Sequence, residues 1–154
     1  TKGIHKVTFR DTQGNWMDYL FEMFNTPYIW GSTPAVVENH IGSDCADLIV
    51  YARRRAGYQQ PYTWSYGLEN FTATVARPRS GEDDIFRDQK GNKIPLSKVR
   101  PGDILLFPRH VAVFFEDNGD GYFGAEDLMI HTLYNAPSIE LVNYPPDKVL
   151  RWKK

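Results

Sequence analysis

Cysteine is almost missing from this chain, with one residue, Cys45, in 154. That count excludes an intrachain disulfide framework and any zinc site built from several thiolates. An excess of charge of either sign is missing too. Eighteen Lys and Arg stand against 19 Asp and Glu, for a formal charge of −1, which leaves no electrostatic case for a nucleic-acid or anionic-membrane partner. No apolar run approaches the roughly 20 residues that cross a bilayer, so no membrane span is expected. There is no internal repeat and no low-complexity segment. What is present is a globular composition, 42% hydrophobic and 14% aromatic, in a chain long enough to bury a core without covalent staples. A single domain over residues 1–154 follows. The sequence starts at Thr1 and not at a methionine, as a mature form or an excised domain does, and a removed export signal is compatible with it.

Residues 15–25, NWMDYLFEMFN, place Trp16, Tyr19, Leu20, Met23 and Phe24 at helical spacing and predict a short amphipathic helix. TPYIWGSTP follows as a segment bounded by Pro27 and Pro34. Ser43 or Asp44 suits the cap of a second helix that ends before Gly57. Its apolar stripe runs through Cys45, Leu48, Ile49, Ala52 and Ala56, and Arg53, Arg54 and Arg55 lie at the negative end of its dipole. From Tyr58 to Arg100 the pattern weakens. LENFTATVA reads as helix, and residues 77–99 read as loop with a hairpin at Lys90-Gly91-Asn92. PGDILLFP and HVAVFFED then predict a strand pair with Val111, Val113 and Phe115 on one face. LMIHTLYN predicts a further strand, and SIELVNYPPDKVLRWK one or two more. Helices first and strands afterwards point to an α+β domain.

Cys45 falls in the first turn of the second helix, where unpaired N–H groups and the dipole favour a thiolate. A thiol nucleophile needs a base within reach, and the base needs a group that orients it. His110 opens one predicted strand and His131 lies on the next, so antiparallel pairing would make the two imidazoles neighbours on one face. The plainer reading is that Cys45 is a small hydrophobe on a buried stripe and the histidines are structural. His5 and His40 show that histidine is not confined to these positions. Pattern alone leaves both readings open.

The local wording of these segments resembles the NlpC/P60 family of papain-like cysteine peptidases. Tyr28-Ile29-Trp30-Gly31 matches the family's aromatic-glycine motif, of the type Tyr-x-Trp-Gly. Asp44-Cys45-Ala46-Asp47-Leu48-Ile49 stands where Asp-Cys-Ser-Gly-Leu/Phe-Val is usual. Pro101-Gly102-Asp103-Ile104 through Phe107, then His110-Val111-Ala112-Val113, match the Pro-Gly-Asp and His-Val motifs, and Ile130-His131 matches the pair that supplies the third polar group. The resemblance covers roughly residues 16–135, in order. It implies a papain-like fold and hydrolysis of an amide bond in bacterial peptidoglycan stem peptides, outside the cytoplasm. It makes Cys45 the nucleophile, His110 the general base and His131 the group that holds His110. Tyr28, Trp30, Ser43 and Asp44 fall on the substrate side, Asp44 where family members bind a free amino terminus. The partner implied is a peptide or peptidoglycan, and neither a metal nor an organic cofactor is implied.

Three departures stand out. Ala46-Asp47 replaces Ser-Gly, which sets a carboxylate near the thiol, and Ser32 replaces the second glycine of Trp-Gly-Gly. Residues 58–100 and the turn between the two histidines are longer than in compact members, as insertions that would reshape a cleft.

Other classes remain in view. Glu116-x-Asn118-x-Asp120-Gly121 with Asp127 resembles a calcium loop in part, but it has Glu in first place, Asp in last place and strands for flanks. The aromatics Tyr58, Tyr62, Trp64 and Tyr66 either pack under the long loop or serve a non-catalytic wall- or peptide-binding module. The same Cys–His pair would also serve an acyltransferase or another amidase. Convergence of Cys45, His110 and His131 separates an enzyme from a binding module.

Overall fold

The computed structural model describes residues 15–154, and His5 lies outside them. Trp16–Met23 is wound as a 3-10 helix, capped by the Asn15 side chain on the Met17 N–H. Leu20 and Met23, three residues apart and fully buried, share a face at that tighter pitch. A short helix the sequence did not suggest, α1 (Pro34–Glu38), starts on its proline, whose missing N–H has no intrahelical partner to lose. Helix α2 (Cys45–Arg55) begins at the cysteine, with Asp44 as cap accepting from the Asp47 N–H at 2.8 Å.

The segment expected as one helix at LENFTATVA is divided. Ser65–Phe71 is a 3-10 helix and Thr72–Ala76 is strand β1. The β-branched run Thr72-Ala73-Thr74-Val75 pairs with the C-terminal strand, and tertiary pairing overrides the local preference. Strands β2 (Ile104–Phe107), β3 (His110–Glu116), β4 (Leu128–His131), β5 (Ser138–Leu141) and β6 (Lys148–Trp152) complete a six-stranded antiparallel sheet of order β1-β6-β2-β3-β4-β5. The fold is α+β, with helices ahead of the sheet.

The sheet separates two cores. On one face Ile104, Leu106, Val111, Val113, Ile130 and Leu150 pack with Leu48, Ile49 and Ala52 of α2 and with Leu20 and Met23. On the other, Leu105, Phe107, Ala112, Phe114 and Val149 meet Phe86, Ile94, Val99 and Phe123. Those last four come from the two long insertions, which are bridged to each other at Ile85–Gly124 and Pro95–Tyr122. Residues 77–99 and the β3–β4 turn therefore cover the sheet face opposite α2, and do not build the cleft as the sequence suggested. The hairpin at Lys90–Asn92 is present: Arg87 bridges Lys93, and Gly91 takes φ +86°.

Candidate active site

Two approaches meet at the N-terminus of α2. The first is the segment before the helix. The Ile29 N–H donates to the Ser43 carbonyl (3.0 Å) and the Ser43 N–H to that of Pro27 (3.3 Å), so Tyr28 is pinned alongside the cap. Gly42 has to be glycine here, because a Cβ would sit 2.6 Å from the Pro27 carbonyl oxygen and 2.5 Å from the Ile29 side chain. The Tyr28 hydroxyl senses Cys45 and Asp44, and burial with these neighbours raises its pKa. Ser43 is fully buried and its hydroxyl has no partner, so any part it plays in binding runs through the backbone it holds. Trp30 projects into solvent, 84% exposed, beside Gly31 at φ +66°.

The second approach is β3. It packs against α2 with its first residues, and the N–H of Val111 favours the charged form of the Cys45 thiol. The residue before it, His110, is buried. Its Nε2 lies 2.9 Å from Nδ1 of His131, on the strand β4 that pairs antiparallel with β3. His131 Nε2 in turn hydrogen-bonds the Glu140 carboxylate on β5. His110 Nδ1 is buried with no partner. A hydrogen-bonded line thus runs from an exposed carboxylate through two imidazoles to one open ring nitrogen, in the residue next to the one whose N–H meets the thiol.

The electrostatics depart from expectation. Placement at a helix N-terminus suggested a thiolate. Burial instead pushes the Cys45 thiol up to about 11, with Asp44 adding to the rise and the N–H groups of Val111, Ala46 and Cys45 opposing it. Burial also takes His110 down to about 4, aided by His131 and opposed by Glu140. Both groups are neutral at pH 7 in the resting protein, and desolvation outweighs the helix end. The rate of Cys45 alkylation by iodoacetamide should accordingly climb about tenfold per pH unit from pH 7 to 10 without levelling. A plateau below neutral pH would show an ion pair at rest.

Two sequence departures turn out to be partners. The Ser32 hydroxyl donates to the Asp47 carboxylate and accepts from the Asp44 N–H at 3.0 Å. Asp47 is buried there with its pKa raised to about 6 by desolvation, while the carboxylate that raises the thiol is Asp44.

The sequence reading missed Glu140 and Tyr134, and it named Tyr66 only as one of the aromatic cluster. Glu140 lies on a strand that was expected, but its place beside His131 depends on the β4–β5 register (Met129 opposite Glu140, His131 opposite Ser138). Tyr134, 80% exposed and held at φ +60°, sets its ring edge-on to Tyr28 with centroids 5.7 Å apart. Tyr66 accepts from the Arg109 N–H at 3.1 Å and pairs edge-on with Trp64, which is 67% exposed. Only part of the aromatic cluster packs inward: Tyr62 lies against the core and donates to Glu38 at 2.8 Å, while Tyr58, Trp64 and Tyr66 are exposed. Tyr58 lies against the Arg53 guanidinium, and Trp64 faces water.

Of the calcium-loop residues, Asp120 and Asp127 converge with Asp117, while Glu116 is absent from that group and Asn118 holds the Asp120 N–H.

The family model for the NlpC/P60 family matches residues 25–145. The chain belongs to the NlpC/P60 family. Solved structures of the family share its architecture. The NlpC/p60 domain of the peptidoglycan hydrolase SagA gives a TM-score of 0.57 at 19% identity, covering 91% of this chain and 99% of that one. The peptidoglycan hydrolase RipB from Mycobacterium tuberculosis gives 0.56 at 17% identity, covering 91% of this chain and 64% of that one. At such identities the likeness is one of fold. No curated protein sequence matches this chain.

Proposed function

We propose that this NlpC/P60 domain is a cysteine hydrolase that cleaves an amide bond in bacterial cell-wall stem peptides, with Cys45 as nucleophile and His110 as general base. The observation that carries this is the open, buried Nδ1 of His110, whose other nitrogen is held by His131 and whose neighbour Val111 meets the thiol. A buried polar atom left without a partner costs about 1–3 kcal/mol, and here the bare nitrogen belongs to the ring that the His-Val motif makes the base. The names of SagA and RipB as peptidoglycan hydrolases support the substrate class, and work outside the cytoplasm is part of the same proposal.

The chemistry follows from the neutral resting state. As sulfur attacks the amide carbonyl carbon, the thiol proton passes to His110 Nδ1, and the oxyanion takes the N–H of Cys45 at the start of α2. His110 returns that proton to the leaving amine, and a thioester remains on Cys45. Water then gives a proton to His110 as its oxygen attacks the thioester carbon. The carboxylic acid product departs and the thiol regains its proton. No charge has to be stored on sulfur between turnovers, in keeping with a buried site.

Asp44 is assigned to the substrate's free amino terminus, and its second duty as helix cap suggests the variant that tests this. Asp44→Asn keeps a capping oxygen and removes the charge. For a stem peptide with a free amino terminus KM should rise roughly tenfold, the scale of a partly exposed ion pair with a hydrogen bond. For the N-acetylated peptide it should not move. Equal losses on both substrates would remove Asp44 from recognition.

His131 holds His110 and does not react. His131→Ala should lower kcat by about ten- to a hundredfold, and His131→Asn, which still offers an oxygen to His110 Nε2–H, should retain more. Amine release from a defined stem peptide, read for the parent and both variants, checks the order. An asparagine variant no better than alanine would contradict the accepting role.

A further inference from the structure

We propose that Glu140 is a positioning residue for the Cys45–His110 pair, acting through His131 to fix which nitrogen of His110 is bare. This deepens the hydrolase reading above and rests on it. The argument is one of proton counting. A neutral imidazole has one N–H and one lone pair, and a carboxylate has only acceptors. Glu140 meets His131 Nε2, so in the neutral ring that nitrogen carries the proton and His131 Nδ1 is a lone pair. Nδ1 lies 2.9 Å from His110 Nε2, so the proton of that hydrogen bond belongs to His110 Nε2. His110 Nδ1, which has no other partner, is then the lone pair that can take the thiol proton.

Without the carboxylate the opposite arrangement becomes available. His131 would keep its proton on Nδ1 and donate to His110 Nε2, and His110 would carry N–H at Nδ1. A base protonated on that nitrogen accepts nothing. Glu140 therefore breaks the tie between two arrangements that the imidazole pair by itself hardly distinguishes. The register places it for this: Glu140 faces Met129 across β4–β5, two residues along from the Ser138–His131 pair, on the face His131 shares. Its side chain is 56% exposed on a sheet edge, so replacing it removes no core contact.

The test compares the parent, Glu140→Ala and Glu140→Gln by NMR of the imidazole nitrogens and by stem-peptide kinetics. In the parent, His131 should be protonated on Nε2 and His110 on Nε2 alone. Glu140→Ala should shift both rings toward protonation on Nδ1 and lower kcat by roughly tenfold with little change in KM. Glu140→Gln, whose side-chain oxygen accepts the same N–H, should restore most of both. His110 protonated on Nδ1 in the parent, or ring signals and kcat unchanged in Glu140→Ala, would overturn the inference. The NMR reads Glu140 without turnover, so an inactive parent with the expected protonation contradicts the hydrolase reading alone.

Discussion

Cys45→Ala should lower kcat on a stem peptide by at least about 10⁴-fold, the scale at which a nucleophile is lost from a coupled set, while the melting temperature moves by only a few degrees. The two effects are separable because of where the thiol sits. Cys45 is half-buried at the first residue of α2 and lies at the edge of the core, not within it. Alanine keeps the helix going and leaves the Asp44 cap intact, since that bond goes to the Asp47 N–H. Removing one partly exposed sulfur costs about 1 kcal/mol or less of burial. The kinetic loss has no such cushion, because no other cysteine exists to substitute. Progress curves and thermal unfolding on the same preparation check both halves. Turnover within tenfold of the parent would remove Cys45 from the mechanism, and a collapsed fold would make it the packed hydrophobe of the alternative reading.

The largest expected effect on stability lies elsewhere in a family motif. Arg151→Ala should cost about 3 kcal/mol, some 10 °C in melting temperature for a chain of this size. Asp103 is 1% exposed. Its two oxygens are held by Arg151 Nε and Nη2, each at 2.7 Å, and by the Arg100 N–H at 3.0 Å. Removing the guanidinium leaves a buried carboxylate with one N–H, which is the costly way to break such a pair. The figure is kept at the low end because Arg151 is partly open to water. Arg54→Ala, which breaks an exposed pair with Glu38, is the control and should cost under about 1 kcal/mol. Urea unfolding of both variants reads the difference, and equal costs would contradict a structural duty for Asp103. That duty explains the Pro-Gly-Asp motif. Gly102, at φ +96°, donates to the Phe114 carbonyl, and Asp103 ties the turn to β6. The motif thereby fixes where β2 starts against the far end of β3, and the antiparallel register carries that alignment along to Phe107 opposite His110.

The parts of this protein that were legible in its sequence are those whose information is local. The Asp44 cap, one of two the sequence offered, and the alternation of Val111, Val113 and Phe115 are written within a few residues and appear as read. The buried face of α2, by contrast, is wider than the expected stripe: it takes in Ala46, Val50 and Tyr51 and leaves Ala56 outside the helix. The His110–His131 contact was legible once two strands were expected to pair. What was not legible depends on contacts between distant segments. Residues 72–76 look helical until β6 pairs with them. Residues 77–99 look like loop because Phe86, Ile94 and Val99 are too widely spaced to show a period, and their partner Phe123 lies in another insertion. Ser32 and Asp47 read as two unrelated departures, although their side chains meet. The thiol's charge state was misjudged for the same reason. The helix end is visible in sequence, whereas the depth of burial that outweighs it is not.

The central claim is that Cys45 is a neutral thiol which becomes a nucleophile only when a bound substrate lets His110 take its proton. The most direct measurement uses a stem-peptide analogue with an acyloxymethyl ketone in place of the scissile amide, with labelling followed by intact mass and peptide mapping. The account predicts one label per chain, on Cys45, at neutral pH where iodoacetamide is slow, with the rate falling at least a hundredfold in His110→Ala. No label on Cys45, or labelling at the parent's rate in His110→Ala, would contradict it.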